Sequence, residues 1–390
     1  MNPKPSNIVR TDCQFYLGDR PCQYAPAVCW EPCSHHRALG TRILIVKLGA
    51  AGDVLRTTAI LPGLKRRYPQ SQVSWLTRPD AAPLLHGNPL IDRVIPFSWE
   101  QTLALQQERF DVVLSLDKER ESIGLVMALR ATQKLGVGMS AAGTPYPLNR
   151  ESEYYLKLGL DNQLKFVQNT RTYQEIIAES AGLDYQRDEY LLFLRADEIA
   201  YGRQVMERLG MGDGELIVGL NTGSGGTYAN KAWIASGYVE LVHCLARSAP
   251  HVKPVLLGGP REIELNRWIE QETAGKALNT GTHHTIRNFC GVVSQCQVVV
   301  TGDTLALHLA IALKRPVVAI FGPTCAQEID LYGRGQAITT TIACSPCYKR
   351  ECDYSPTCMD VIPVEHVFTA LQTVLANEGV VVTGPAMTQR

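Results

Sequence analysis

A chain of 390 residues exceeds what one hydrophobic core usually organises, so two domains of ordinary size are expected. Apolar residues make up 45% and charged residues 19%, with 32 Gly and 22 Pro, a globular composition that excludes a disordered or collagen-like chain. Thirty-eight Lys and Arg balance thirty-eight Asp and Glu, so no net positive field exists to hold a polyanion; nucleic acid is not an expected partner, whereas a local basic patch can still meet phosphate or acidic lipid.

Met1 to Asp12 is polar, and no run of about 18 apolar residues appears, so a cytoplasmic protein is expected. Residues 1–40 carry Cys13, Cys22, Cys29 and Cys33 without helical or strand periodicity and read as an irregular Cys-rich prelude. Ile43-Leu44-Ile45-Val46 is a buried-strand run, followed by a glycine-bearing turn and a helix over Asp53 to Tyr68. Short apolar runs at 73–76, 94–95 and 112–114 alternate with helical stretches, which predicts a parallel sheet wrapped by helices.

A helix near Thr172 to Ala181 and a charged stretch around Leu191-Leu192-Phe193-Leu194 precede a second series, and the domain boundary is placed there. Strands are predicted near 216–220, 255–257, 298–300 and 317–321, with helices near 234–246, 262–272 and 305–313. The expected organisation is a Cys-rich segment 1–40, a Rossmann-like domain 41–190, a second Rossmann-like domain 191–362 with a Cys-rich insertion 344–358, and a C-terminal stretch 363–390. Its helix, Val364 to Asn377, is expected to cross back onto the first domain.

Four motifs carry chemistry. Gly49-Ala50-Ala51-Gly52-Asp53 lies between strand and helix, where small residues let the backbone approach a ligand. Asp53 there is either a helix cap or a carboxylate at the cleft rim able to take a proton from an incoming hydroxyl. The loop Asn221-Thr222-Gly223-Ser224-Gly225-Gly226-Thr227 can offer backbone N–H groups to a diphosphate. Lys231 follows it, as a phosphate contact or a solvated lysine beside a core Trp233.

At the next switch, Gly302-Asp303-Thr304 begins a helix whose first amides suit phosphate, with His308 one turn further on as a ligand contact or a packed histidine. Phe321-Gly322-Pro323-Thr324 closes the following strand. Cys344, Cys347, Cys352 and Cys358 form C-x2-C-x4-C-x5-C, enough sulfur for one tetrahedral ion. This set and the N-terminal one hold separate ions, share one, or are buried thiols; spacing does not separate zinc from iron, and neither leaves an open position for catalysis.

Together, residues 42–47 and 52–55, Asn221 to Ser224, Lys231-Ala232-Trp233, Gly302-Asp303-Thr304 with His308, and Phe321 to Thr324 resemble glycosyltransferase family 9, the ADP-heptose:lipopolysaccharide heptosyltransferases, over about residues 41–378. The resemblance implies an α/β GT-B fold, two Rossmann-like domains facing a central cleft, and an inverting transfer that needs no metal or other cofactor. It implies Asp53 as catalytic base, and Thr222, Gly223, Ser224, Gly225, Lys231, Gly302, Asp303, Thr304, Leu305 and His308 as the donor site. Leu305 stands where the family commonly has glycine.

The implied partners are a nucleotide-sugar donor, ADP-heptose, and a glycolipid or glycan acceptor at the cytoplasmic membrane face, approached without spanning it. Some relatives glycosylate proteins instead. Arg56, with Lys65, Arg66 and Arg67, gives the first helix a basic end suited to an anionic acceptor, or simply a solvated helix end. A nucleotide-sugar epimerase or a non-catalytic binder would share the same cleft.

Overall fold

The computed structural model describes residues 9–212, 214–225 and 229–380. In the first half β1 (Arg42–Val46), α1 (Ala51–Thr57), α2 (Ile60–Arg67), β2 (Gln72–Thr77), β3 (Arg93–Pro96), α3 (Trp99–Gln107), β4 (Arg109–Ser115), α4 (Arg120–Ala128), β5 (Arg130–Met139), β6 (Pro145–Pro147), α5 (Glu153–Lys157) and α6 (Tyr173–Ser180) follow one another. Their strands form one sheet in the order β3-β2-β1-β4-β5-β6, parallel except for β6. The central strand β1 carries Ile43, Leu44, Ile45 and Val46 fully buried, because helices cover both faces.

The second half comprises α7 (Ala196–Arg208), β7 (Leu216–Asn221), α8 (Ala235–Ser248), β8 (Val252–Leu257), α9 (Ile263–Glu272), β9 (Leu278–Asn279), α10 (Ile286–Val293), β10 (Val298–Gly302), α11 (Leu305–Ala312), β11 (Val317–Phe321), β12 (Gly335–Thr339) and α12 (Val364–Asn377). Its sheet runs β12-β11-β10-β7-β8-β9. Counted within its own half, this is the same doubly wound order as the first sheet. Strand order therefore reverses between β1 and β4 in one domain and between β7 and β10 in the other, and ligands of such sheets bind beyond the carboxyl ends of the strands at that reversal.

Two expectations are corrected. The helix expected over 53–68 is two helices, α1 and α2, broken at Thr58 and Ala59. Pro62 is the cause: it has no N–H to give and its ring crowds the carbonyl one turn back, so it fits only the first turn of a new helix. At the break Thr58 Oγ1 donates to the Leu55 carbonyl and accepts the Leu191 N–H, tying the interdomain segment to the corner.

The C-terminal helix α12 does not return to the first domain. Val367, Phe368, Leu371, Val374 and Leu375 bury against Val318, Ile320, Tyr238 and Leu241 of the second. Each such side chain contributes about 1.5–3 kcal/mol of burial, enough to fix the helix where it lies.

The domains share an apolar seam in which Leu55, Ala59, Leu84 and Tyr190 pack with Leu307, Leu309, Ala310 and Phe321. A polar clamp closes its edge. Arg287 of α10 donates to Glu198 of α7 through Nε at 2.7 Å and Nη2 at 2.5 Å, to the Phe193 carbonyl at 2.6 Å, and across to the Pro83 carbonyl of the first domain at 3.3 Å.

Candidate active site

Between the domains lies a cavity of about 580 Å³. Its walls come from the segments after β1 (Ala50–Asp53), after β4 (Asp117–Glu119), after β7 (Ser224, Gly225, Lys231) and after β10 (Asp303–Leu305). Those are the two strands at the reversal point of each sheet, so both switch points open onto one space.

On the first-domain side, α1 begins at the end of β1. Asp53 sits in its first turn, accepts the Ala50 N–H at 3.3 Å, and keeps 34% of its side chain exposed toward the cavity. It is thus both a helix-terminal carboxylate and a cleft carboxylate. One turn along, Arg56 Nη2 lies 2.8 Å from Asp53 Oδ1, and its guanidinium stacks 3.6 Å from the Tyr173 ring centroid. Burial lifts the Asp53 carboxyl, but Arg56, Lys47 and the Ala50 N–H outweigh it and hold the group down at about 2. Asp53 is ionised across the physiological range. Arg56, expected to meet the acceptor, lines the cavity and clamps the carboxylate.

Behind Asp53, Lys47 is buried in a pair with Asp117, Nζ to Oδ1 at 2.6 Å, while the Leu48 N–H also donates to Asp117. Despite its burial, that carboxylate keeps Lys47 protonated.

On the second-domain side, Asn221 at the end of β7 organises two loops through one amide. Its Nδ2 donates to the Gly223 carbonyl at 2.9 Å, Thr301 Oγ1 at 3.1 Å and Thr304 Oγ1 at 3.2 Å. Thr304 caps α11 by accepting the Ala306 N–H at 3.2 Å. Lys231 Nζ lies 2.9 Å from Asp303 Oδ2. His308, on α11, is buried beneath Gly52 and Tyr190. Burial, with Arg56 next, pushes its imidazole down to about 4, so it is neutral at pH 7.

The predicted donor residues divide into two shells. Ser224, Gly225, Lys231, Asp303, Thr304, Leu305 and His308 line the cavity. Thr222, Gly223 and Gly302 lie behind that wall. Thr222 is buried and donates to Asn266 Oδ1 at 2.5 Å; Gly223 rests on the Glu262 carboxylate; a Cβ on Gly302 would come within 2.7 Å of the Lys231 carbonyl. These three shape the loops rather than face the cavity. Gly226 and Thr227 of the same loop lie outside the described residues.

Sequence reasoning missed a basic and aromatic group in the cavity wall: Lys118, Lys165, Tyr155 and Tyr348. Lys118 Nζ donates to the Tyr155 carbonyl at 2.6 Å and lies 3.8 Å from that ring's centroid, while Lys165 Nζ lies 3.4 Å from the Tyr348 ring centroid. Burial, then the neighbouring Lys165, pull the Lys118 ammonium down to about 8. Lys118 follows β4 at a switch point, a position the strand prediction at 112–114 already marked. Lys165 lies in a single π turn, Leu164–Gln168, for which the sequence holds no periodic signal.

The 344–358 insertion folds against the second domain. Ser345 Oγ donates to the Gly322 carbonyl at 2.5 Å, and the Tyr348 N–H to the Pro323 carbonyl at 2.8 Å. Burial first, and then charge on Cys347, Cys352 and Cys344, push the Cys358 thiol up to about 11. The twelve cysteines are free thiols, and among the described residues no three Cys, His, Asp or Glu side chains stand as a formed metal-ligand set.

The paired doubly wound sheets around one cavity have counterparts among known proteins. The profile of glycosyltransferase family 9 (heptosyltransferase) fits residues 99–357. The chain belongs to glycosyltransferase family 9. Lipopolysaccharide heptosyltransferase 1 of Escherichia coli strain K12 is 26% identical to it over 314 residues, 76% of this chain and 92% of that protein.

Two solved structures show the family 9 fold. The glycosyl transferase family 9 protein of Veillonella parvula DSM 2008 superposes with a TM-score of 0.68 at 19% identity, covering 86% of this chain and 97% of that one. The E. coli ADP-heptose lps heptosyltransferase II gives 0.64 at 20% identity, covering 87% and 100%. As a family 9 member the chain is a glycosyltransferase, with the GT-B arrangement expected from its motifs. No helix among the described residues is long and apolar enough to cross a membrane.

Proposed function

We propose that this glycosyltransferase moves heptose from ADP-heptose to a lipopolysaccharide core sugar, by a single inverting displacement with Asp53 as general base. The observation that carries the reading is Asp53 itself, ionised, open to the cavity and opposite the loops of the second domain. Relatives named for ADP-heptose and for lipopolysaccharide supply the substrate class.

In-line displacement needs a base on one face of the anomeric carbon and charge stabilisation on the other. Asp53 receives the acceptor hydroxyl's proton as the new C–O bond forms. The bond from the anomeric carbon to the diphosphate breaks, and its electron pair leaves with the nucleotide. Lys231, the Ser224 and Gly225 backbone amides and the amino end of α11 at Thr304 and Leu305 take up the departing charge. A carboxylate held near 2 is a weak base at rest; it becomes effective as the attacking hydroxyl turns acidic late in the displacement.

No metal enters these steps. By the spacing of their thiols, Cys344, Cys347, Cys352 and Cys358 are the residues that would hold a structural zinc or iron ion, beside the Tyr348 loop on Pro323. Lys118 and Lys165 suit an anionic acceptor, as a core glycan presented at the cytoplasmic membrane surface would be. The test is incubation of the full chain with ADP-heptose and a heptose-free core acceptor, read by product mass and by the configuration at the new anomeric centre. One added heptose with inverted configuration and released ADP supports the proposal. Isomerised donor without transfer, or binding without product, overturns it.

A further inference from the structure

Residues 9–40 contribute no wall to the cavity, and their fold has no evident source of stability. They contain no helix and no strand beyond an isolated antiparallel bridge between Cys13 and Ala38. Not one of their side chains is buried. Segments below about 40 residues rarely hold a fold by apolar burial alone and rely on disulfides, metal ions or partners instead. The cysteines here are free.

The path of this segment is nevertheless closely specified. The Arg10 N–H donates to the Cys29 carbonyl at 2.9 Å, Gln14 to Arg37 at 2.8 Å, and Leu39 to Asp12 at 2.8 Å. Cys13, Cys22 and Cys33 each open a turn, with the N–H of Tyr16, Ala25 and His36 returning to the cysteine carbonyl at 3.1 Å. Tyr24 stacks on His35 at 4.2 Å and meets the edge of Phe15 at 5.0 Å.

These contacts surround a cavity of about 20 Å³ whose wall includes Cys13, Cys22, Cys29 and Cys33. A single water-sized sphere needs about 10–15 Å³, so there is room for one small occupant. The two histidines at the same wall are engaged elsewhere: His35 in the Tyr24 stack, and His36 Nε2 with Arg10 at 2.7 Å and Asp12 at 3.4 Å. Four sulfurs remain.

We propose that Cys13, Cys22, Cys29 and Cys33 bind one thiophilic divalent ion as a closed four-thiolate site, and that this ion is what folds residues 9–40. Four ligands complete a tetrahedron and leave no open position, which makes the site structural rather than catalytic. Among the described residues no three Cys, His, Asp or Glu side chains stand as a formed metal-ligand set, so binding has to draw the four sulfurs together. Binding releases the thiol protons to solvent and forms four metal–sulfur bonds with no change of oxidation state.

The site is tested on the full chain, purified without chelator, by measuring zinc and iron content in the wild type, in Cys22→Ser/Cys33→Ser and in Cys344→Ser/Cys347→Ser. The first double variant is expected to lose about one ion per chain relative to the wild type, whatever the second loses. Equal metal content in the first variant and the wild type overturns the proposal.

Thiol labelling with mass mapping on the wild type removes any dependence on how the variants fold. Cys13, Cys22, Cys29 and Cys33 should be protected together and become reactive together on chelation. Independent labelling without chelator, or an intact mass showing cystine among these four, contradicts a metal site. Zinc or iron in the assay names the ion, and cobalt(II) added to the chelated chain should give thiolate-to-cobalt absorption that the first variant lacks.

Discussion

Gly52 of α1 and His308 of α11 meet across the two domains at a distance that no other residue at position 52 would tolerate: a Cβ there would lie 2.4 Å from His308 Cδ2. The glycine beside Asp53 is thus set by domain packing. It lets the amino end of α1, and Asp53 with it, come down onto α11 of the second domain.

Gly52→Ala should therefore destabilise the chain by about 1–3 kcal/mol through overpacking and lower transfer by spreading the cleft. Adding His308→Ala should recover part of the stability, with a coupling of about 0.5–3 kcal/mol in a double-mutant cycle of denaturant unfolding. Strict additivity of the two changes would show that the contact is not under strain.

The Arg56 clamp predicts a pH effect. Because the Asp53 carboxyl is depressed to about 2, it stays charged as pH falls through the ordinary carboxylate range, and it imposes no acid limb on kcat/KM near pH 4 to 6. Arg56→Met removes the nearest cation and leaves burial to dominate, so the carboxyl rises and an acid limb moves upward into that range. Profiles of kcat/KM against pH for the two proteins, with superimposable acid limbs, would contradict this.

Lys231 is held by Asp303 at 2.9 Å and faces the space opposite Asp53. Lys231→Ala removes a charged donor and leaves Asp303 repelling the diphosphate. Donor affinity should fall about 10- to 100-fold, the equivalent of a charged hydrogen bond, and turnover should fall with it. Calorimetric titration with ADP-heptose checks the first, and initial rates check the second; unchanged affinity would place the diphosphate elsewhere.

Arg287→Met should cost up to about 3–5 kcal/mol, because Glu198, 2% exposed, would lose its buried cation and keep only the exposed Arg195, Nη2 to Oε1 at 3.2 Å. In the wild type the Glu198 carboxyl is held below its usual value, with burial opposing and Arg287 and the Arg195 N–H prevailing. Its contribution is present above the unfolded value, about 4.3, and is lost as pH falls through the folded one. Unfolding midpoints across pH 3 to 7 should show that acid loss in the wild type and a flattened slope in the variant.

What could be read from the sequence followed from spacing. The apolar run at 43–46, the Gly/Ser loop after β7 and the Asp303-Thr304 start of α11 are local signals, and they locate three of the four segments that build the cavity. The division of the 221–227 loop into Ser224 and Gly225 facing the cavity and Thr222 and Gly223 facing the core was not legible. It depends on Asn266 and Glu262, more than thirty residues away in the chain. Arg56 has an ordinary basic-end signature, and only the fold reveals Tyr173 beneath it. The α12 periodicity fixed the helix from Val364 to Asn377 but not its partner, because apolar spacing specifies a face and not what covers it.

The most direct measurement is single-turnover transfer by Asp53→Asn, run beside calorimetric titration of the same protein with ADP-heptose. Asn preserves the shape and removes the proton acceptor, so the transfer rate should drop by about 10²–10⁴ while donor affinity stays within a few-fold of the wild type. Transfer at the wild-type rate, or a loss of donor binding that accounts for the whole defect, would remove Asp53 from the role of base.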